Sequence, residues 1–300
     1  MKAKDFIQTK QVLWARRNNI FLRTPNEKSE LEMYTTKLED NLYEPLDPVY
    51  EDQIKNGNGG ELGTTQPNAA MKLSNGSNVP DHAAKMEALH SSSATGVNFF
   101  HYWAKRDLAK EIAIACRLCD KNNKNTFKIS FEEKFQIDQS FSISPNIDVV
   151  IKSDDQDQKL FAIECKFSEP YGSNHDGLSV QYIQKENLWK GILNLYDFAK
   201  TISPKDVQFK YLHPAQLIKH ILGLINSCGK KGFKLLYLWY DVPGPEGCLH
   251  RQEIEKFSKI TKKDDIAFSS ITYQEVILNL YKDYYQNHNQ YIDYLADRYL

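Results

Sequence analysis

The chemistry in this 300-residue chain is concentrated between Pro145 and Lys166. In Leu160-Phe161-Ala162-Ile163-Glu164-Cys165-Lys166-Phe167, a strand's period of two sends Phe161, Ile163, Cys165 and Phe167 to one face. Ala162, Glu164 and Lys166 go to the other, so one face is core and the other sets a carboxylate beside an ammonium. Upstream, Pro145-Asn146-Ile147-Asp148-Val149-Val150-Ile151 puts a single acid at the head of an apolar strand. Pairing of the two strands across the polar turn at Asp154 brings Asp148 next to Glu164. Two carboxylates within a few ångströms repel unless something offsets them, and a hard divalent cation with oxygen ligands does so. The arrangement asks for Mg²⁺. A Glu-x-Lys on a strand is commonly only a charged pair on a wet face. Here the acids sit inside runs that read as buried on at least one side, and the order Asp, short turn, Glu-x-Lys, helix is harder to reach by accident.

The elements that must position these residues follow from the change of period at Phe127. Phe127 to Ile137, Ile147 to Ile151 and Leu160 to Phe167 are short runs rich in β-branched and aromatic residues, and they predict three strands joined as a meander. Trp189, Ile192, Leu193, Tyr196 and Ala199 recur at helical spacing, as do Leu217, Ile221, Leu224 and Ile225, with Gly229 placed to stop the second helix. Phe233 to Tyr240 reads as a buried strand. The tail predicts a helix near Gln252 to Ile260, a strand near Ile266 to Ile271, and a helix begun by the capping box Thr272-Tyr273-Gln274-Glu275. Upstream, Asp81 is placed to cap a helix through Lys85 and Leu89, and a second helical pattern covers Trp103 to Leu118. Asn56 to Asn78, rich in Gly, Asn, Ser and Thr, reads as a long loop. The class is mixed α/β, divided as an N-terminal extension over 1–55, a polar loop over 56–82 and a main domain over 83–300.

Composition excludes several classes. With 41% hydrophobic and 26% charged residues the chain is too apolar for a disordered one, and no apolar run approaches the roughly 20 residues of a membrane span. Five cysteines, Cys116, Cys119, Cys165, Cys228 and Cys248, are an odd number in a chain long enough to bury a core, so they read as reduced thiols. The opening residues carry no secretory signal pattern, and a cytoplasmic location is expected. The formal charge of −1 hides an uneven distribution: ten acids lie between Glu27 and Glu61, and nine lysines against three acids between Lys185 and Lys234. A local basic face is what a polyanion feels, so a nucleic-acid partner stays open.

Pro145-x-x-Asp148 followed by Glu164-Cys165-Lys166 resembles the PD-(D/E)xK nuclease superfamily. Lys85 to Ala94, Glu164 to Tyr171, Gln216 to His220 and Leu235 to Asp241 extend the likeness to a group of bacterial restriction-endonuclease-like proteins, over roughly residues 57–280. The resemblance implies a restriction-endonuclease-like core of helix, three-strand meander, helix and strand, with added helices. It implies a Mg²⁺-dependent nuclease acting on DNA, with Mn²⁺ as a substitute ion and a homodimer as the expected assembly. Asp148 and Glu164 would hold the ion with the Cys165 main-chain carbonyl, Lys166 would orient the attacking water, and Gln216 would orient water or phosphate.

Weaker signals surround this set. Glu87, Glu132 and Glu133 compete as an extra acid, and Ser91, Ser92 and Ser93 are either phosphate contacts or a helix cap. Cys116-Arg117-Leu118-Cys119 has too few partners for zinc and reads as helical core. His175 and Asp176 lie in a polar loop, six lysines from Lys185 to Lys219 could line a phosphate track, and the tyrosines of the tail read as helix packing. A non-catalytic nucleic-acid-binding module, a protein-interaction domain and a repair or mobile-element nuclease are the rival readings.

Overall fold

The computed structural model describes residues 1–24, 31–57, 62, 85–155, 159–172 and 175–300. Its elements are α1 (Ala3–Arg17), β1 (Leu22–Arg23), β2 (Tyr34–Thr35), α2 (Pro48–Gly57), α3 (Ser92–Ala104), α4 (Ala109–Ala115), β3 (Phe127–Lys134), β4 (Asn146–Ser153) and β5 (Leu160–Lys166). They continue with α5 (Val180–Gln184), α6 (Leu193–Thr201), α7 (Pro214–Cys228), β6 (Phe233–Trp239), α8 (Pro245–Lys263), β7 (Phe268–Thr272) and α9 (Tyr273–Tyr299). The main sheet has the order β3-β4-β5-β6-β7; the first two pairings are antiparallel and the last two parallel. The expected meander is β3, β4 and β5, and the expected buried strand is β6, reached by the crossover through α5, α6 and α7.

Alternation on the strands divides the core into two layers. Val149, Ile151, Ile163, Cys165, Leu236 and Leu238 face α3, α4 and α9, while Val150, Ala162, Leu235 and Tyr237 face α6, α7 and α8. Among the described residues of 1–55, Ala3 and Ile7 of α1 and Ile54 of α2 join the first layer. Gly229, at φ 74°, ends α7 as expected, and Thr272 caps α9 with both bonds of the capping box to Glu275.

Three local expectations need correction. Asp81 lies outside the described residues, and Lys85 to Glu87 form only a 3₁₀ turn; the helix starts at Ser92, whose predecessor Ser91 accepts the Ala94 N–H as its cap. The pattern over Trp103 to Leu118 is two helices, broken where Asp107 takes φ 55°, a turn that no Gly or Pro marks in the sequence. The helix near Gln252 begins earlier, at Pro245, whose fixed φ and missing N–H suit a first turn. Of the polar loop, 58–61 and 63–82 lie outside the described residues, and Asn56 and Gly57 close α2.

Candidate active site

β4 and β5 pair with Val149 opposite Ile163, so one step toward the sheet's end sets Asp148 opposite Glu164. The carboxylates expected to meet therefore come from adjoining strands at one level. Asp148 Oδ2 accepts the main-chain N–H of Cys165 at 2.7 Å. Glu164 is enclosed by three groups: Lys166 Nζ lies 2.7 Å and Gln216 Nε2 2.6 Å from Oε1, and His220 Nε2 lies 2.9 Å from Oε2. Gln216 and His220 are one helical turn apart on α7, which is how one helix reaches both oxygens. Oε2 and both His220 nitrogens nevertheless have no well-directed hydrogen-bond partner. The Cys165 thiol points the other way, into the α3 layer, where a Cβ on Gly96 would sit 3.2 Å from Sγ.

Burial and repulsion by Glu164 and Glu132 push the Asp148 acid well above the usual carboxylate range, against the pull of Lys166 and the Cys165 N–H. Burial also raises Glu164, but Lys166 and His220 outweigh it and bring its acid down to about 2. For Lys166, burial disfavours the ammonium, yet Glu164, Asp148 and Glu169 together more than offset it, so its acidity is lowered and it keeps its proton. One carboxylate holds its proton tightly and its neighbour does not.

The site opens on a cleft of about 590 Å³ lined by Asp148, Asn146, Glu132, Lys134, Tyr182, Gln216, Lys219 and His220. Glu164, 1% exposed in its side chain, lies behind Gln216 rather than in the cleft wall, and Lys166 is 16% exposed. Lys219 stands 5.6 Å from the centre of the Tyr182 ring, and burial lowers its proton affinity. Lys134, whose place two residues after Glu132 on β3 was the available signal, and Tyr182 were not anticipated.

The other anticipated residues divide. Glu87 pairs with Arg23, and Glu133 pairs with Lys152; only Glu132 of the three acids faces the cleft. Ser91 is a helix cap, while the Ser92 N–H donates to Glu169 and Ser93 borders a small void with Glu132 and Asp148. His175 stacks on His213, ring centres 4.6 Å apart, with Asp206 at 3.8 Å. Lys185 and Lys200 are paired with Asp138 and Asp197. The two cysteines of the Cys-x-x-Cys run are free, Cys116 buried and Cys119 half-buried. Tyr291 stacks on Tyr102 at 3.9 Å and Tyr294 packs edge-on against Trp14, so both serve helix packing.

Oxygen donors of the type a hard cation takes are present in Asp148, Glu164 and Glu132. Each is engaged by donors of its own, and among the described residues no three His, Cys, Asp or Glu side chains are gathered tightly enough to hold a metal ion. A cation between Asp148 and Glu164 would have to take Oε1 from Gln216 or share Oε2 with His220. Among the described residues no helix is long and apolar enough to cross a membrane.

A family model described as Restriction Endonuclease associating with ARP matches residues 31–300, and the chain belongs to that family. No curated protein and no solved structure matches it.

Proposed function

We propose that this chain is a Mg²⁺-dependent nuclease of the PD-(D/E)xK type, hydrolysing DNA phosphodiester bonds as a restriction-type endonuclease. The observation that carries the reading is the opposition of Asp148 and Glu164 across β4 and β5, with the Lys166 ammonium 2.7 Å from Glu164. Asp148 and Glu164 are the residues that would hold the ion, with the Cys165 carbonyl as a further oxygen; Mn²⁺ would serve in its place. The bound cation supplies Lewis acidity to a phosphate oxygen and a lowered pKa to a water.

The chain's own groups account for the rest. Lys166, kept protonated by its acidic neighbours, donates to the attacking water and counters charge building on the phosphate in the transition state. It is an orienting and electrostatic group rather than a free base. Gln216 on α7 orients Glu164 and, where it borders the cleft, the incoming phosphate. Lys134 and Lys219 on the cleft walls meet the flanking phosphates. Cutting both strands of a duplex asks for two such sites, which a homodimer would provide.

The enclosure of Glu164 by Gln216, His220 and Lys166 favours one rival, a DNA-binding module without turnover. Plasmid incubated with Mg²⁺ or Mn²⁺ separates the two. The nuclease reading expects cleavage that falls by roughly a thousandfold or more in each of Asp148→Ala, Glu164→Ala and Lys166→Ala, as expected when transition-state electrostatics are removed. Cleavage that survives all three changes refutes the site, and salt-dependent binding with no cleavage under any divalent cation selects the rival.

A further inference from the structure

We infer that the strand entering this cleft is unstacked beside the scissile phosphate, and that Ile143, on the loop leading into β4, takes the base face so freed. The preferred substrate is then DNA carrying an unpaired nucleotide. The inference rests on the nuclease reading and deepens it. Ile143 is 79% exposed, yet it borders the same cleft as Asp148, Gln216 and Lys219. A single apolar side chain at a surface is ordinary. This one stands on the rim of a cleft whose other walls carry acids, amides and lysines, five residues before Asp148 on the segment that feeds β4.

The loop is anchored with Ile143 turned outward. Phe141, two residues earlier and 8% exposed, joins the second core layer and stacks on Tyr182 of α5, ring centres 4.4 Å apart. Lys185 Nζ, just past α5, donates to Asp138 Oδ1 at 2.9 Å and also to the Ser140 hydroxyl. Tyr182 borders the cleft as Ile143 does, so the loop and α5 make one wall with an aliphatic and an aromatic side chain on it. Lys134 and Lys219 offer charge to phosphates, but a phosphate makes no use of an isoleucine. In a fully paired duplex the base faces are stacked on one another and only base edges reach the grooves. An apolar wall therefore finds its partner only when a base has left the stack. Isoleucine is among the side chains that proteins insert between base steps, and aromatic platforms beside basic tracks hold unpaired strands. The cleft volume of about 590 Å³ agrees, because it encloses a drug-sized ligand, which one nucleotide is and a duplex is not. Unstacking costs least where a nucleotide is already unpaired, and this sets the preference.

The test measures binding apart from turnover. Fluorescence anisotropy of the full chain, without divalent cation, compares a fully paired DNA duplex with the same duplex carrying one unpaired nucleotide. The wild type should bind the interrupted duplex at least about fivefold more tightly, the lower end of what one stacked base contributes. Ile143→Ser should bring the two duplexes to within about twofold of each other. Ile143→Leu, which restores an apolar group, should keep the wild-type preference, as should Leu278→Ser at an exposed residue of α9 that does not border the cleft. In Mg²⁺ the wild type should cut next to the unpaired nucleotide. Equal binding of the two duplexes by the wild type, or a preference that Ile143→Ser leaves intact, overturns the inference; the nuclease reading then stands or falls on plasmid cleavage alone. A preference that depends on Ile143 with no cleavage under any divalent cation keeps the base contact and refutes the nuclease reading. Failure to bind either duplex overturns both.

Discussion

Arg298 and Glu164 are both charged side chains buried almost completely, and they are treated in opposite ways. Arg298, 1% exposed, joins the ends of the chain: its Nε donates to Gln11 Oε1 at 2.9 Å, and its Nη1 donates to the Asn41 carbonyl at 2.8 Å and the Tyr294 hydroxyl at 2.7 Å. Its Nη2 meets the Asn41 side chain, and the guanidinium lies 4.1 Å from the centre of the Trp14 ring. Every nitrogen has a partner, and no carboxylate is used. Glu164 also draws three donors, yet Oε2 and both His220 nitrogens lack a well-directed bond, and neighbouring Asp148 is pushed toward its neutral form. A charge that serves structure is saturated by its surroundings. At the candidate site the donors are present, but those at Glu164 Oε2 and His220 are not well directed.

The sharpest way to break that contrast is to remove Arg298. Arg298→Met keeps much of the packing volume but strands the acceptors of Gln11 and Asn41 between α1, the 38–41 turn and α9. A loss of about 3–5 kcal/mol in unfolding free energy is expected, as when one partner of a buried polar network is deleted. Glu164→Gln, which substitutes an isosteric neutral group, should cost far less. Urea unfolding of the two variants checks it; a loss below about 1 kcal/mol for Arg298→Met would make the network incidental.

The two regions also differ in how readable they were. The placement of the candidate residues was legible because its signal is local: Glu164 and Lys166 are two residues apart, Asp148 heads the preceding strand, and one polar turn joins them. The capping box at Thr272 and the stop at Gly229 are local for the same reason. Arg298 was illegible because its partners Gln11 and Asn41 are 287 and 257 residues away, and no pattern in α9 marks one arginine as buried. The choice of Glu132 over Glu133 falls between these cases. Alternation says that only one can face the cleft, but the choice depends on a left-handed backbone at Glu132, against which Gly57 packs from 75 residues upstream. The break between α3 and α4 was hidden because no Gly or Pro marks it: the turn falls at Asp107, a residue whose tolerance of positive φ leaves little trace in sequence.

A smaller effect sharpens the contrast among the lysines. Lys185 and Lys200 already have carboxylate partners at 2.9 and 2.6 Å, whereas Lys134 and Lys219 border the cleft. Removal of either cleft lysine should weaken binding to duplex DNA by a similar factor whatever the sequence, and lower the slope of log affinity against log salt by about 1. Lys200→Ala should leave the slope unchanged. Equal slopes for all three variants, measured by fluorescence anisotropy at several salt concentrations, would remove the cleft as the phosphate track.

The smallest expected change is a gain. Because burial and its acidic neighbours raise the Asp148 acid in the folded protein, ionising that carboxylate costs folding free energy. The sign follows from the two states. In the unfolded chain the group ionises near about pH 3.9, so the penalty is absent below that value, grows as pH rises toward the folded value, and is constant above it. Asp148→Asn keeps an oxygen able to accept the Cys165 N–H and removes the charge. Lys166 loses one counter-charge but retains Glu164 at 2.7 Å. The variant should therefore be more stable than wild type by about 1 kcal/mol at pH 8 without divalent cation, with the difference fading as pH falls to about 4. Adding Mn²⁺ should narrow or invert the order, because only the wild type gains from binding it. Denaturant melts at pH 4, 6 and 8 decide the matter: an Asn variant less stable than wild type at pH 8 would mean that the carboxylate row is as fully satisfied as Arg298, and the distinction between the two buried charges would be lost.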